Sequence, residues 1–130
     1  MGNMESPDLA IRLRRSAFNR VIADADLAVI GQFLTINAVL VAGTDSALLS
    51  GRKAQLLTWK REFASADRTI YTRLPERVEI STIAPIALEH GKWHGITVSG
   101  IDLASGSYVA KWRQVGANWM IEAEIYLTLG

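Results

Sequence analysis

The stretch IALEHGKWHGITVS, residues 86–99, alternates apolar or small side chains with polar ones along its length. A period of two is the signature of a strand. Read as one, it turns Ala87, Glu89, Gly91 and Trp93 to one face and Leu88, His90, Lys92 and His94 to the other. Both histidines of the chain then share a side. Their four-residue spacing is that of helical zinc motifs, but on a strand it separates them by about 13 Å, too far for one ion. No metal and no cofactor is therefore expected, and the histidines are assigned to the surface or to a subunit interface.

The same alternation recurs on both sides of this stretch, in TIYTRLPERVEIST (69–82), SYVAKWRQV (107–115) and NWMIEAEIYLTL (118–129), separated by AP, GIDLASG and GA. Four successive strands of this kind predict an antiparallel meander. Before residue 66 the period is different. Ser6 and Pro7 supply an N-cap and a first helical residue, and Leu9, Leu13, Ala17 and Val21, flanked by Phe18 and Ile22, predict a helix to about residue 23. Arg12, Arg14, Arg15 and Arg20 fall on its other side and are read as solvated. A shorter helix over LAVIGQFL (27–34), a strand in INAVLVAG (36–43) and a second short strand within GTDSALLSG (43–51) follow. Leu56, Trp59 and Phe63 mark a third helix from Arg52 to about Ser65, with Lys53, Lys60, Arg61 and Glu62 on its remaining surface. Three N-terminal helices packed on one face of a curved, mainly antiparallel sheet make an α+β fold.

Composition narrows the function classes. The chain has 130 residues, 49% of them hydrophobic and 21% charged, with a net charge of +1. That is one domain's worth of chain, expected to span residues 1–130 with its core between about 6 and 129. So small a net charge gives no field that would favour nucleic acid. No run approaches a membrane span, and the first thirty residues lack the apolar core of a signal peptide, so a cytoplasmic location is expected. With no cysteine, thiol nucleophiles, disulfides and zinc-thiolate sites are excluded.

On the strand after residue 106, Tyr108, Ala110 and Trp112 form one face and Val109, Lys111 and Arg113 the other. The aromatic and small sets are the natural inward faces. Glu89 is then an anomaly, a carboxylate on an inner face that must be paired, hydrogen-bonded or neutral. The last strand is ambiguous. A regular one places Trp119, Ile121, Ala123, Ile125 and Leu127 together and sends Glu122 and Glu124 the opposite way, an assignment that a β-bulge would change.

LLSGRKAQLLTW, RLPERVEIS, ALEHGKWHG and GSYVAKWRQVGANWMIEAEIYLTL together resemble the SnoaL-like branch of the nuclear transport factor 2-like superfamily. The matching features are Arg73 and Pro75; Ala87, Glu89, Gly91, Trp93 and Gly95; Gly106, Tyr108, Ala110 and Trp112; and Trp119, Ile121, Glu124 and Tyr126. The resemblance runs from about Leu9 to Leu129. It implies a cystatin-like, cone-shaped α+β barrel with a cavity between helices and a strongly bent sheet, and pairing of two copies through the outer sheet face. The superfamily holds steroid isomerases, polyketide cyclases, dehydratases and dioxygenase small subunits, together with non-enzymatic binding modules, so fold alone does not choose among them. Its isomerases and cyclases use a pocket aspartate or an aspartate–histidine pair. This sequence has no histidine on its expected inner face.

Two readings of the inner charges follow. Glu89 is a general base with Arg73 or Tyr108 stabilising an oxyanion, or Glu89 and Arg73 form a buried structural pair, the reading favoured here. Trp59, Tyr71, Trp93, Tyr108, Trp112 and Glu124 are the candidate ligand-binding residues. The expected function is a small-molecule-binding domain whose apolar, tryptophan-lined cavity lies between the third helix and the bent sheet, forming a homodimer and taking a small apolar or amphipathic ligand. The alternatives are an isomerase, dehydratase or cyclase acting through Glu89, and an interaction module using the outer face with Lys111 and Arg113. Serine-triad chemistry and a phosphate loop have no support, since no nucleophile elbow or Walker spacing occurs.

Overall fold

A computed structural model describes residues 6–130; residues 1–5 of the expected domain lie outside the described part. Helix α1 runs over Pro7–Ala23, with the Ser6 hydroxyl accepting from the Leu9 N–H at 3.2 Å. Its buried stripe differs from the one expected. Ile11, Arg15, Phe18 and Ile22 are buried, whereas Leu9 and Leu13 are 47% and 50% exposed. Both stripes recur at helical spacing, and the winning one contains an arginine because the sheet supplies carboxylates opposite it.

The short helix α2 (Leu27–Ile30) passes through a 3₁₀ turn into β1 (Leu34–Val41), which is followed by β2 (Leu48–Ser50) and helix α3 (Arg52–Phe63). The meander comprises β3 (Thr69–Ile80), β4 (Ile86–Thr97), β5 (Asp102–Val115) and β6 (Asn118–Thr128). GIDLASG, expected as a connection, is mostly strand: β5 begins at Asp102 and the turn shrinks to the residues around Gly100, whose φ of 96° suits glycine. Strand order is β2-β1-β6-β5-β4-β3, with β1 parallel to β6 and every other pair antiparallel. The mixed sheet curls around the helices without closing. It is an open cone, with β2 and β3 as its edges.

Inside and outside follow the alternation on β4 and β5: Ala87, Glu89, Gly91 and Trp93 are buried, as are Tyr108, Ala110 and Trp112. On β6 a bulge intervenes. Lys111 pairs with Ala123 and Trp112 with Ile121, so Glu122 is the extra residue. Before it Trp119 and Ile121 face inward; after it Glu124 and Tyr126 do, while Ile125 and Leu127 turn outward, 57% and 55% exposed. No described helix is long and apolar enough to cross a membrane.

Candidate functional site

Glu89 sits beneath α1, fully buried, and its partners come from two elements. Arg15 approaches with Nε 3.0 Å from Oε2 and Nη2 3.0 Å from Oε1. From β5, the Trp112 indole donates to Oε1 at 2.8 Å and the Tyr108 hydroxyl donates to Oε2. Gly91, paired with Tyr108 across the sheet, leaves the space this hydroxyl needs: a Cβ there would lie 2.7 Å from it and against the Leu74 carbonyl. Arg15 Nη2 also reaches Glu124 at 2.8 Å, Tyr126 donates to the same Glu124 oxygen at 2.7 Å, and Arg73 Nε donates to the Tyr126 hydroxyl at 2.8 Å. Two arginines and two glutamates thus balance within one buried network. Burial alone would raise the Glu124 carboxyl, but the guanidinium charges of Arg15 and Arg73, with hydrogen bonds from Tyr126 and Arg15, hold it below the usual carboxylate range. Burial also lifts the Tyr108 and Tyr126 hydroxyls well above the normal phenol range, so both remain donors.

The expected pair of Glu89 with Arg73 does not form. Arg73 lies opposite Trp93, four positions along β4 from Glu89, which is about 13 Å of strand. Arg15 takes its place. Arg73 instead reaches into a cleft of about 380 Å³ between α3, β2 and the β3 edge of the sheet. Trp59, Tyr71, Trp93 and Tyr126 form its aromatic wall, with Leu40 and Leu49 on the β1–β2 side. Successive rings are in contact: Trp59 and Tyr71 centroids lie 6.1 Å apart, Tyr71 and Trp93 6.2 Å, and Trp93 and Tyr126 6.3 Å. The Trp93 indole donates to the Leu127 carbonyl at 3.2 Å, which fixes its ring. Arg73 is 3% exposed at the inner end, whereas Thr44 and Asp45 are exposed at the rim and Glu62 is half-buried. Burial, then the nearby Glu62 charge, raise the Tyr71 hydroxyl. Among the described residues no group of three His or carboxylate side chains is placed to hold a metal ion.

No protein-family model matches the chain, and no curated protein matches it. Solved structures do. A domain of unknown function with a cystatin-like fold from Nostoc punctiforme is 13% identical, with a TM-score of 0.81 over 98% of this chain and 80% of that one. A nuclear transport factor 2-like protein of unknown function from Pseudomonas putida KT2440 is 14% identical, with a TM-score of 0.78 over 95% of this chain and 89% of that one. Another, with a cystatin-like fold, from Novosphingobium aromaticivorans is 16% identical, with a TM-score of 0.77 over 94% and 81%. The chain has the nuclear transport factor 2-like fold. In that nuclear transport factor 2-like frame the cleft lies between α3, the β1–β2 hairpin and the inner face of the sheet.

The frame divides the candidate residues into two groups. Trp59, Tyr71, Arg73 and Trp93 line the cleft. Glu89, Tyr108, Trp112 and Glu124 lie behind its wall, each at most 2% exposed, and belong to the buried network. Glu62 and Tyr126 are among the cleft residues that the sequence pattern does not point to. Glu62 appeared to belong to the solvent side of α3, and Tyr126 fell on the outward face of a regular strand. Only the bulge at Glu122 brings Tyr126 in. The histidines lie on the outer face, His90 Nε2 2.8 Å from Glu79 and His94 Nε2 2.8 Å from Asp102.

Proposed function

We propose that this chain is a small-molecule-binding domain of the SnoaL-like kind, holding a small apolar or amphipathic ligand in the cleft. The observation that carries this reading is the cleft itself: aromatic and aliphatic walls, with one guanidinium at the inner end. Its volume lies toward the lower end of the roughly 300–1,000 Å³ usual for ligand pockets. Catalysis through Glu89 fits less well, because that carboxylate has no exposure and its oxygens are taken by Arg15, Tyr108 and Trp112. A general base needs a free lone pair within reach of substrate.

Binding is tested by thermal unfolding and tryptophan fluorescence with flat bicyclic probes. At a probe concentration about tenfold above Kd, a rise in Tm of about 5 °C is expected. Leu49→Trp, which fills the cleft from β2, is expected to abolish it. Equal stabilisation of that variant would place the probe elsewhere and defeat the reading.

The outer face supports a second part of the proposal, a homodimer. Ile125 and Leu127 stand 57% and 55% exposed on β6, next to Val109 on β5, and form an apolar patch suited to a second copy. Lys111 and Arg113 are engaged by Glu122, at 3.8 and 3.1 Å, which weakens the case for an acidic partner. Light scattering is expected to give twice the chain mass, and Ile125→Asp combined with Leu127→Asp to give a folded monomer. A wild-type monomer at the highest attainable protein concentration would remove this part.

A further inference from the structure

Arg73 is more than nine-tenths buried, yet one arm of its guanidinium is unused. Nε donates to the Tyr126 hydroxyl at 2.8 Å and Nη1 to the Tyr71 carbonyl at 3.3 Å. Nη2 has no hydrogen-bond partner among the described residues, and it is not sealed within protein, since Arg73 forms part of the cleft wall. No carboxylate among the described residues touches Arg73 directly. Glu124 reaches it only through the Tyr126 hydroxyl and is itself held by Arg15 at 2.8 Å. A guanidinium donor that faces the cleft without a protein acceptor is met best by an anionic one.

The surroundings fix the guanidinium in place. Its Cζ lies 5.1 Å from the Tyr126 ring centroid and 5.8 Å from those of Trp59 and Tyr71. Two carboxylates share the lining, Asp45 exposed at the rim and Glu62, half-buried, beside the Tyr71 hydroxyl. The remaining titratable groups on the lining are the Tyr71 and Tyr126 hydroxyls. Tyr126 is committed twice, accepting from Arg73 and donating to Glu124, so it has no proton to offer a ligand.

We propose that the cleft takes a monoanionic amphipath head first, its carboxylate or equivalent oxyanion on Arg73 Nη2 and its flat apolar body against Trp59, Tyr71 and Trp93. This rests on the ligand-binding reading of the cleft given above. The Asp45 carboxylate at the rim repels a second negative charge at the tail, which selects against dianions.

Titration calorimetry of the full chain at neutral pH with 1-naphthoate, 1-naphthamide and 2,6-naphthalenedicarboxylate tests it. The charged hydrogen bond predicts that naphthoate binds at least about tenfold more tightly than the amide, and the rim charge that the dicarboxylate falls below naphthoate. Arg73→Gln is expected to erase the preference, bringing naphthoate to the level of the amide measured on the same variant. Equal affinities of naphthoate and amide for the wild type, or a naphthoate preference that survives Arg73→Gln, would overturn the anionic head and leave the cleft reading standing. Absence of binding by all three would overturn both. Should Arg73→Gln not fold, the wild-type comparison still decides, with Leu49→Trp expected to eliminate the naphthoate preference and overturning the assignment if it does not.

Discussion

Arg15→Met is expected to cost about 3–5 kcal/mol of folding stability, a large fraction of what a domain of this size possesses. The side chain is fully buried and is the direct cationic partner of both Glu89 and Glu124. Methionine fills much of the volume but leaves two carboxylates in the interior with only Tyr108, Trp112 and Tyr126 as donors. Denaturant unfolding measures the loss; a change below about 1 kcal/mol would mean that the network is not what holds α1 to the sheet. The same variant carries a pH signature. The Glu124 carboxyl is held below its ordinary value in the folded protein, so its contribution is present above the unfolded carboxylate pKa of about 4.3 and is lost as pH falls through the folded value. Wild-type stability is thus expected to decline with acid below about pH 4.3, and Arg15→Met to decline less steeply over that window.

Gly91→Ala is expected to cost about 3 kcal/mol, more than a methyl group usually does. The added carbon meets the Leu74 carbonyl on the neighbouring strand and lies 2.7 Å from the Tyr108 hydroxyl. Backbone held in the β3–β4 ladder cannot yield cheaply, and a displaced tyrosine gives up its bond to Glu89. A double variant with Tyr108→Phe separates the two effects. If removing the hydroxyl restores little of the loss, the carbonyl contact dominates; if Gly91→Ala is tolerated within about 0.5 kcal/mol, the close packing described for this site is wrong.

The four-strand meander and the inner face of β4 were legible in the sequence because alternation is a local property, readable without knowledge of any partner. Glu89 could likewise be singled out as an inward charge. Its partner could not. Arg15 sits among three other arginines on one helix, and nothing local distinguishes the one that faces the sheet except its place in the stripe of Ile11, Phe18 and Ile22. Arg73 was a reasonable candidate on charge alone, but strand register puts it opposite Trp93 and out of reach. Trp112 and Tyr108 illustrate a second limit. An aromatic on an inner face can line a cavity or close the wall behind it, and that distinction depends on how far the sheet curls, which is a property of the whole fold.

The bulge at Glu122 has a wider meaning for this strand. It acts as a frameshift in three dimensions: one additional residue exchanges the identities of the two faces for everything that follows. Without it, Ile125 and Leu127 would point inward and Glu124 and Tyr126 outward, leaving Arg15 short of a carboxylate and Arg73 short of its hydroxyl. The exposed apolar patch would vanish in the same step. A single insertion therefore sets both the polarity at the inner end of the cleft and the greasiness of the opposite surface, and neither can be altered through strand register without altering the other.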